Sequence, residues 1–400
     1  MSEFLLKDIT ELIVDCPHST ANDEGKGYPL VRTPNIGKGR LVYQGMHRVS
    51  EEVYNKRNQR AVPQENDLIF AREATAGNVA LIQKGEKVCL GQRTVLIRPN
   101  KSLVDPAYLT YLLLAPKQQY NLLGTANGAT VAHVNLPTIR NLKLELPDLE
   151  VQHRIATILS RYDSLIENYQ KQIKLLEEAA QRLYKEWFVE LRFPGYDSTK
   201  IVDGVPEGWE RKKAIDFFEM SIGKTPPRAE KQWFTDGKVG VPWVSISDMK
   251  DVTYLLQTSE GLTKEACEKH NVRIVDEGTV LLSFKLTVGR VSIAGMNVCT
   301  NEAIAHFNKN GDDWREYTLL YLRNYNFDTL GNTSGISKAV NSTIVKNMPF
   351  LMPSGKVLDA FSNVAKPLFQ KIKNLSFQIR LLTEARDRLL PKLMGGEIEV

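Results

Sequence analysis

Glycine-containing loops in both halves of the chain carry residue types that suit contact with nucleic acid. Arginine and lysine neutralise phosphates, while arginine, asparagine, serine and threonine reach base edges. A glycine beside lysine or arginine also lets the backbone approach a phosphate. Each such residue taken alone is equally an ordinary surface group, but a set that recurs in both halves favours contact with DNA. The candidates are Arg32, Thr33, Asn35, Lys38, Arg40, Arg72, Arg93, Lys224, Thr225, Arg228, Ser245, Ser247, Lys285 and Arg290.

One tetrapeptide, Asp105-Pro-Ala-Tyr108, is similar to the (N/D)PPY sequence with which amino-methyltransferases hold a target amine. Its third residue is alanine where that sequence has proline. No glycine-rich strand-to-helix turn for S-adenosylmethionine precedes it. We therefore interpret the tetrapeptide as the start of a helix and predict no catalytic residue in this chain.

The spacing of histidine and cysteine predicts no metal site. The six histidines lack the H-E-x-x-H spacing, and the four cysteines form no C-x-x-C pair, so neither zinc nor a disulfide framework is expected. No G-x-x-x-x-G-K-[ST] phosphate loop occurs, so ATP-driven work would belong to a partner. Trp243, within VPWVSI, is expected in the core and not on a base-stacking surface.

The overall composition is that of an ordinary globular protein. A length of 400 residues, with 42% hydrophobic and 25% charged residues, indicates two or three domains. A net charge of +5 permits nucleic acid as a partner without requiring it. The N-terminus does not have the pattern of a secretory signal, and no apolar run is long enough for a membrane span. The expected location is the cytoplasm.

Strand-like runs fill most of each half, and a short helix follows them. The predicted strands are AVP, DLIFA, NVALI and TVLIRP in the first half and VPWVSI, GTVLLSF, RVSIAG and AIAHF in the second. The short helices are LTYLLLA from Leu109 and LLYLRNY from Leu319. Each is followed by a loop with a pair of glycines, at Gly124–Gly128 and Gly331–Gly335, which predicts a tight turn.

The end of each half is an internal repeat at a constant offset of 206 residues. The repeated segments from Asn135 to Pro147 and from Asn341 to Pro353 are expected to be strands that lead into the long helices. Between Ile166 and Leu183, ten of eighteen positions are identical to those between Ile372 and Leu389. A repeat unit of this length is too long for a solenoid or propeller. The chain is therefore a tandem duplication of a domain followed by a long helix, and such a molecule can present two similar surfaces.

Each long helix carries a heptad pattern of apolar residues. A helix of about forty residues is roughly 60 Å long, so its apolar stripe, or seam, is longer than one domain can cover. We therefore expect the two helices to pair with each other as an antiparallel coiled coil. The helix length would then set the distance between the two domains, as a ruler does. The alternatives are packing on the helix's own domain and homodimerisation. Arg386 is the polar interruption of the second seam. The predicted seam residues are Ile155, Leu159, Tyr162, Ile166, Ile173, Leu176, Leu183, Leu368, Ile372, Ile379, Leu382 and Leu389.

The duplicated plan resembles the specificity subunit of type I restriction-modification systems over nearly the whole chain. In the first half the resemblance is carried by DCPHSTANDEGKGYPLVRTPNIGKGRL, REATAGNVALI, VCLGQRTVLIRP and LPDLEVQHRIATIL. In the second half it is carried by SIGKTPPR, VPWVSISDM, GNTSGISKAVN and RLLPKLMGGEI. The second long helix begins VLDAF where the first has VQHRI, so its start departs from the pattern.

The resemblance implies an α+β fold with two duplicated, mainly-β target-recognition domains, each followed by a long helix. The implied segments are an N-terminal domain at 1–147, a central helix at 148–192, a C-terminal domain at 193–353 and a distal helix at 354–395. It implies a non-catalytic subunit that reads a bipartite site in double-stranded DNA. The implied protein partners are two methyltransferase subunits and the restriction subunits, with no membrane partner.

The resemblance also implies that no cofactor is bound by this chain. S-adenosylmethionine, ATP and Mg are expected on the partner subunits. Two other functions remain open from the residues alone. One is a solitary DNA methyltransferase or nuclease, and the other is a coiled-coil adaptor that joins two protein-binding domains.

Overall fold

The computed structural model describes residues 2–124, 133–202, 204–311, 313–330 and 340–400. The chain forms two compact units. Unit 1 is residues 1–167 with 381–400, and unit 2 is residues 168–380. Each unit therefore contains one strand-rich domain and a part of each long helix. The four segments predicted from the sequence divide the chain differently, and their bounds stay a prediction.

The described strands of unit 1 form three sheets. The strands are β1 (Ser2–Leu5), β2 (Thr10–Asp15), β3 (Tyr28–Val31), β4 (His47–Val49), β5 (Leu68–Ala71), β6 (Val79–Leu81), β7 (Cys89–Leu90), β8 (Thr94–Pro99) and β9 (Lys143–Leu146). One sheet has the order β2-β8-β5-β6, another β4-β3-β7, and β1 pairs with β9. All pairings are antiparallel except that of β3 with β7, where Leu30 lies opposite Cys89.

Unit 2 repeats this arrangement with additional strands. They are β10 (Ile201–Val202), β11 (Val205–Pro206), β12 (Glu210–Lys213), β13 (Glu219–Ile222), β14 (Phe234–Asp236), β15 (Val241–Val244), β16 (Tyr254–Leu255), β17 (Glu260–Leu262), β18 (Val280–Ser283), β19 (Val291–Ala294), β20 (Cys299–Thr300), β21 (Ile304–Asn308) and β22 (Pro349–Met352). The sheets run β13-β21-β18-β19-β16 and β14-β17-β15-β20, and β12 pairs with β22. The parallel pair of β15 with β20, with Trp243 opposite Cys299, matches that of β3 with β7.

The helices are short except for two. They are α1 (Glu51–Arg57), α2 (Pro106–Leu114), α3 (Pro116–Leu123), α4 (Leu136–Arg140), α5 (Leu149–Tyr184), α6 (Ala214–Phe217), α7 (Lys264–Lys269), α8 (Arg315–Asn324), α9 (Ser342–Lys346) and α10 (Gly355–Met394). A π turn, Lys185–Val189, continues α5. Among the described residues, no helix is both long and apolar enough to cross a membrane.

Capping side chains fix where two of the helices, α2 and α5, begin. Asp105 accepts a hydrogen bond from the backbone N–H of Tyr108 at 2.8 Å, with Pro106 in the first turn. Asp148 accepts in the same way from Val151 at 2.9 Å at the start of α5. The interpretation of Asp105-Pro-Ala-Tyr108 as a helix start is confirmed.

The long helices pair within each unit. In unit 1, Ile155 and Leu159 of α5 share a buried core with Leu393 near the end of α10. In unit 2, Trp187 lies 5.7 Å from Phe361 near the start of α10, measured between ring centroids. The early part of α5 thus meets the end of α10, and its late part meets the beginning. The α+β fold with antiparallel helices is confirmed.

Two predictions of local structure were wrong. Ala61–Pro63 is not a strand. Its proline has no N–H to donate to a neighbouring strand, and the carbonyl of Val62 accepts instead from the Arg98 side chain at 3.0 Å. The repeated segments from Asn135 and Asn341 were expected as strands throughout. Each begins instead with a short helix, α4 or α9, because a proline in the first turn of α4 and the Asn341 cap of α9 favour helix.

Candidate nucleic-acid interface

The loop after β3 in unit 1 is closed by the buried side chain of Asn35. Its Oδ1 accepts from the Arg32 N–H at 3.2 Å, and its Nδ2 donates to the Val42 carbonyl at 3.0 Å. Asn35 is only 1% exposed, so the amide braces the loop. Lys38 is exposed at the far end of the loop, and Arg32 donates to the Gly45 carbonyl at 2.9 Å. Thr33 is buried and Arg40 is half-buried.

The β5–β6 hairpin, residues 72–78, packs against this loop. Two of its residues have left-handed backbones, Ala74 at φ 60° and Gly77 at φ 87°. Thr75 Oγ1 donates to the Thr33 carbonyl at 2.7 Å, and Asn78 Nδ2 donates to the Ile36 carbonyl at 2.9 Å. The hairpin and the loop therefore form one surface.

An ionic network lies at the base of this hairpin. Arg72 donates to both carboxylate oxygens of Asp15, at 2.8 and 3.0 Å, and to the Val134 carbonyl at 2.9 Å. Glu73 pairs with Arg93 and with His133. The side chain of Arg72 is 12% exposed and that of Arg93 is 62% exposed. Arg93 is thus the more accessible cation of the two predicted here.

Burial and neighbouring cations act on His133. Desolvation, followed by the positive charges of Arg72 and Arg93, lowers the pKa of His133 below its usual value. The imidazole lies within hydrogen-bond distance of both Glu73 and Arg72.

Unit 2 has a hairpin with the same backbone between β18 and β19, residues 284–290. Leu286 has φ 60° and Gly289 has φ 91°, as at Ala74 and Gly77. The Gly289 N–H donates to Ser283, just as the Gly77 N–H donates to Ala71. Side chains at equivalent positions differ, with Arg72, Glu73, Ala74 and Asn78 replaced by Phe284, Lys285, Leu286 and Arg290.

The predicted loops of unit 2 lie on either side of this hairpin. Arg290 Nη1 donates to the Ile246 carbonyl at 2.7 Å, which connects the hairpin to the 245–248 loop. On the other side, the Phe284 N–H donates to the Ala303 carbonyl at 2.9 Å. The residue before Ala303 is Glu302, whose carboxylate accepts a hydrogen bond from the Thr225 hydroxyl. The three predicted groups of unit 2 are therefore brought together.

Several predicted residues of unit 2 already have protein partners. Ser245 Oγ lies 2.6 Å from both Asp248 Oδ2 and Ser247 Oγ. Arg228 pairs with Glu260 at 2.9 Å and lies over the Trp243 ring at 4.5 Å. Trp243 itself is 1% exposed, which confirms its place in the core. Lys224 is exposed, and Lys285 lies 5.6 Å from the Phe284 ring centroid.

The structure pairs the loops of the two units in a way that the sequence did not indicate. The Ser245 N–H donates to the Asp248 carboxylate at 2.8 Å, just as the Arg32 N–H donates to the Asn35 side chain. The 245–248 loop is therefore the counterpart of the loop after β3. The 223–228 segment follows β13 and corresponds to the residues after β2, near His18. His18 lies 3.4 Å from Asp15 and was missed, because a single histidine gives no spacing signal. The DNA contacts of all these residues stay a prediction.

A buried polar triad lies beneath the interface of unit 2. His306 is 1% exposed, with its two ring nitrogens each 2.8 Å from a hydroxyl, of Ser221 and Thr300. Desolvation lowers the pKa of His306 to about 4. With both nitrogens engaged and no exposure, this imidazole is a structural group. Unit 1 has Val14, Leu96 and Leu90 at the corresponding positions.

A charged pair lies between the long helices in unit 1. Arg386, the polar interruption of the seam, donates to Asp163 at 2.6 Å, and Asp163 also accepts from the Tyr111 hydroxyl at 2.6 Å. Asp163 is 5% exposed. Burial of Tyr111, followed by the negative charge of Asp163, raises the pKa of Tyr111. A cavity of about 180 Å³ adjoins this pair and includes Lys38 in its lining. Asp163 was not predicted from the sequence because it lies one position off the heptad pattern.

The predicted seam residues differ in burial along the helices. Ile155, Leu159 and Ile372 are buried. Leu389 is half-buried and packs against the core of unit 1. The other half-buried seam residues are Tyr162, Ile166, Ile173, Leu176, Leu183, Leu368, Ile379 and Leu382. Their individual roles as coiled-coil contacts stay a prediction.

The glycine-pair loops cannot be placed in this interface. Residues 125–128 and 331–335 lie outside the described residues, as does most of the GNTSGISKAVN segment. Within the described ranges, no group of three or more His, Cys, Asp or Glu side chains is arranged to hold a metal ion.

Comparison with known proteins identifies the family. The family model of the type I restriction modification DNA specificity domain matches residues 1–178 and again 206–375. The chain is 27% identical over 414 residues to the type I restriction enzyme MjaIX specificity subunit of Methanocaldococcus jannaschii, covering 99% of this chain and 93% of that protein. It is 23% identical over 371 residues to the HindI specificity subunit of Haemophilus influenzae, covering 76% and 80%.

A solved structure has the same fold. The S subunit of a type I restriction-modification system from M. genitalium superimposes with a TM-score of 0.58 at 14% identity, covering 98% of this chain and 95% of that one. Because the family model matches both halves and most of the length, the chain belongs to the type I restriction-modification DNA specificity family.

Proposed function

We propose that this chain is the DNA-reading subunit of a type I restriction-modification complex and that each unit reads one half of a bipartite site. The observation that carries the proposal is the matched interface of the two units. In each, a hairpin side chain, Asn78 or Arg290, hydrogen-bonds a backbone carbonyl of the neighbouring loop. This arrangement holds a basic, polar surface rigid before any ligand arrives, which reduces the ordering cost of binding.

Divergent side chains on this shared backbone support two different half-sites. At one matched hairpin position unit 1 has Glu73, whereas unit 2 has Lys285. Glutamate accepts from the amino group of cytosine, and lysine pairs well with guanine. Two readers with different donors and acceptors therefore recognise different base sequences.

The long helices are proposed to bind the partner subunits and to set the spacing of the half-sites. Their ten identities in eighteen positions support two copies of one partner, which we propose to be the methyltransferase subunit. The restriction subunits join the same assembly. S-adenosylmethionine, ATP and Mg are bound by these partners, and the chain itself has no catalytic role.

Methylome sequencing of cells with and without this chain tests the proposal. We expect a methylated, two-part motif that is present only with the chain. The purified chain with its methyltransferase subunits should then bind a duplex with that motif far more tightly than a scrambled duplex.

Two other outcomes would favour the other candidate functions. Methyl transfer by the purified chain alone would establish an enzyme. Binding that ignores DNA sequence, even with methyltransferase present, would favour an adaptor.

A further inference from the structure

Leu286 combines two unfavourable local features at the tip of the 284–290 hairpin. Its side chain is 89% exposed, more than any other large hydrophobic side chain in the described parts of the chain. Its backbone has φ 60°, a left-handed conformation that a residue with a Cβ seldom adopts. Residues with unfavourable exposure or backbone conformation occur mostly at functional positions.

The backbone around Leu286 is held firmly. Gly289 has φ 91°, and a Cβ there would lie 3.2 Å from the Phe327 ring, so this position requires glycine. The Ser283 hydroxyl accepts from the Arg290 N–H at 3.0 Å, and its own proton goes to the Thr287 carbonyl at 2.5 Å. The hairpin therefore presents Leu286 on a rigid support.

Charged groups near the tip suit a polyanion. Lys285 and Arg290 belong to the hairpin, and Lys224 is exposed on the flanking 223–228 segment. The acidic neighbours include Glu302, which accepts from the Thr225 hydroxyl, and Asp328, in the cavity wall beside Leu286. Glu177 and Asp251 line a separate pocket with Arg290. An exposed apolar side chain between cations matches a duplex, whose stacked bases are apolar and whose phosphates are anionic.

We propose that Leu286 is a wedge that enters a base step of the half-site read by unit 2. The proposal rests on the proposed function. Leucine is among the apolar side chains that separate stacked bases and kink a duplex, and cations on either side can then contact the phosphates. Ala74 has the same left-handed position in unit 1 but is too short to separate two bases.

Fluorescence of 2-aminopurine in the bound duplex tests the wedge. The chain with its methyltransferase subunits is mixed with a duplex that carries the motif found by methylome sequencing. The probe replaces adenines in and beside one half-site at a time. The variants are Leu286→Ala and Leu286→Gly, and Ala74→Gly is the matched control in unit 1.

We expect fluorescence to rise at one step of the unit 2 half-site with the unmodified chain. Leu286→Ala should abolish the rise and weaken specific binding about tenfold, the scale of one lost base contact. Leu286→Gly should do the same while raising Tm, because glycine adopts φ 60° freely. Ala74→Gly should leave the fluorescence rise at the unit 2 step unaltered.

Three results would overturn the wedge. One is full affinity of Leu286→Ala with no fluorescence change at any step. Another is loss of methyltransferase binding by Leu286→Ala with unaltered DNA contact, which would make Leu286 a protein-docking residue. The third is the absence of any preference of the unmodified complex for the motif, and only this result would also refute the proposed function.

Discussion

Unit 1 and unit 2 share a backbone plan but place their polar side chains in different layers. At the hairpin of unit 1, Arg72 pairs with Asp15 and Glu73 pairs with Arg93, whereas unit 2 has the buried Phe284 at the position of Arg72. In the interior the order is reversed. Unit 2 has the Ser221–His306–Thr300 triad where unit 1 is apolar.

The same reversal occurs between the long helices. Asp163 and Arg386 of unit 1 correspond, at the repeat offset of 206, to Phe369 and Ala180 of unit 2. The charged pair is thus replaced by a large and a small apolar side chain, both buried. Backbone pairing and glycine positions fix this fold, and the side chains on it are free to diverge.

Exchange of the first domain should have the largest effect on function. Replacing residues 1–147 by those of another specificity subunit should change one half of the methylated motif and leave the other half unaltered. Specific binding exceeds non-specific binding by a factor of about 10³ or more, so the change of motif should be complete. Methylome sequencing measures it, and a change in both halves would contradict independent reading by the two units.

Loss of Asp163 should destabilise unit 1 strongly. Asp163→Ala leaves the Arg386 charge half-buried without its main partner, and we expect a loss of about 3–5 kcal/mol in the free energy of unfolding. Denaturant unfolding measures this loss. The triple variant Asp163→Phe, Arg386→Ala and Tyr111→Phe should recover most of the stability, because the first two changes copy unit 2 and the third removes the hydroxyl that would lose its acceptor. If it is as unstable as the single variant, the two helix pairs are not interchangeable in this respect.

The stability of unit 2 should fall in mild acid. The pKa of His306 is lowered to about 4, whereas that of an unfolded histidine is about 6.5. Above pH 6.5 both states are neutral, and as pH falls toward 4 the unfolded state binds the proton first. The free energy of unfolding should therefore decrease by up to about 3 kcal/mol between pH 6.5 and 4.

The control for this pH effect copies unit 1. A variant with Ser221→Val, His306→Leu and Thr300→Leu removes the histidine and leaves no hydroxyl without its partner. Thermal unfolding of this variant should lack the part of the pH dependence that His306 causes. An unaltered pH profile would show that another group is responsible.

Single lysine substitutions at the interface should have the smallest effect. Lys38→Ala and Lys224→Ala should weaken DNA binding equally on specific and scrambled duplexes. Each should reduce the slope of log affinity against log salt by about one. Affinity measured over a range of salt concentrations checks this, with the exposed Lys174 on α5 as a control position.

The sequence predicted the frame of the molecule better than its interface. Runs such as DLIFA and TVLIRP are strands, because continuous apolar residues bounded by turns have few other folded forms. The heptad pattern likewise predicted the paired helices. Asp163 was missed because a buried charge depends on its partner Arg386, which is more than two hundred residues away in the chain.

The matching of the loops depended on three-dimensional contacts. Ser245 and Arg32 have no similarity as residues. The matching strands before them and the closure of each loop by Asp248 or Asn35 make them equivalent. Left-handed backbone at Leu286 is also not readable from its residue type. Such positions depend on hydrogen bonds between distant segments, which local propensity does not contain.

An early strand of each domain lies beside its last strand. Ser2 pairs opposite Leu146 in unit 1, and Glu210 pairs opposite Met352 in unit 2. A gene segment bounded by these two strands encodes a domain whose beginning and end meet at one place. Recombination at these two points can replace the domain without altering the helix to which it is attached. A cell lineage can thus acquire a new DNA specificity in one genetic event.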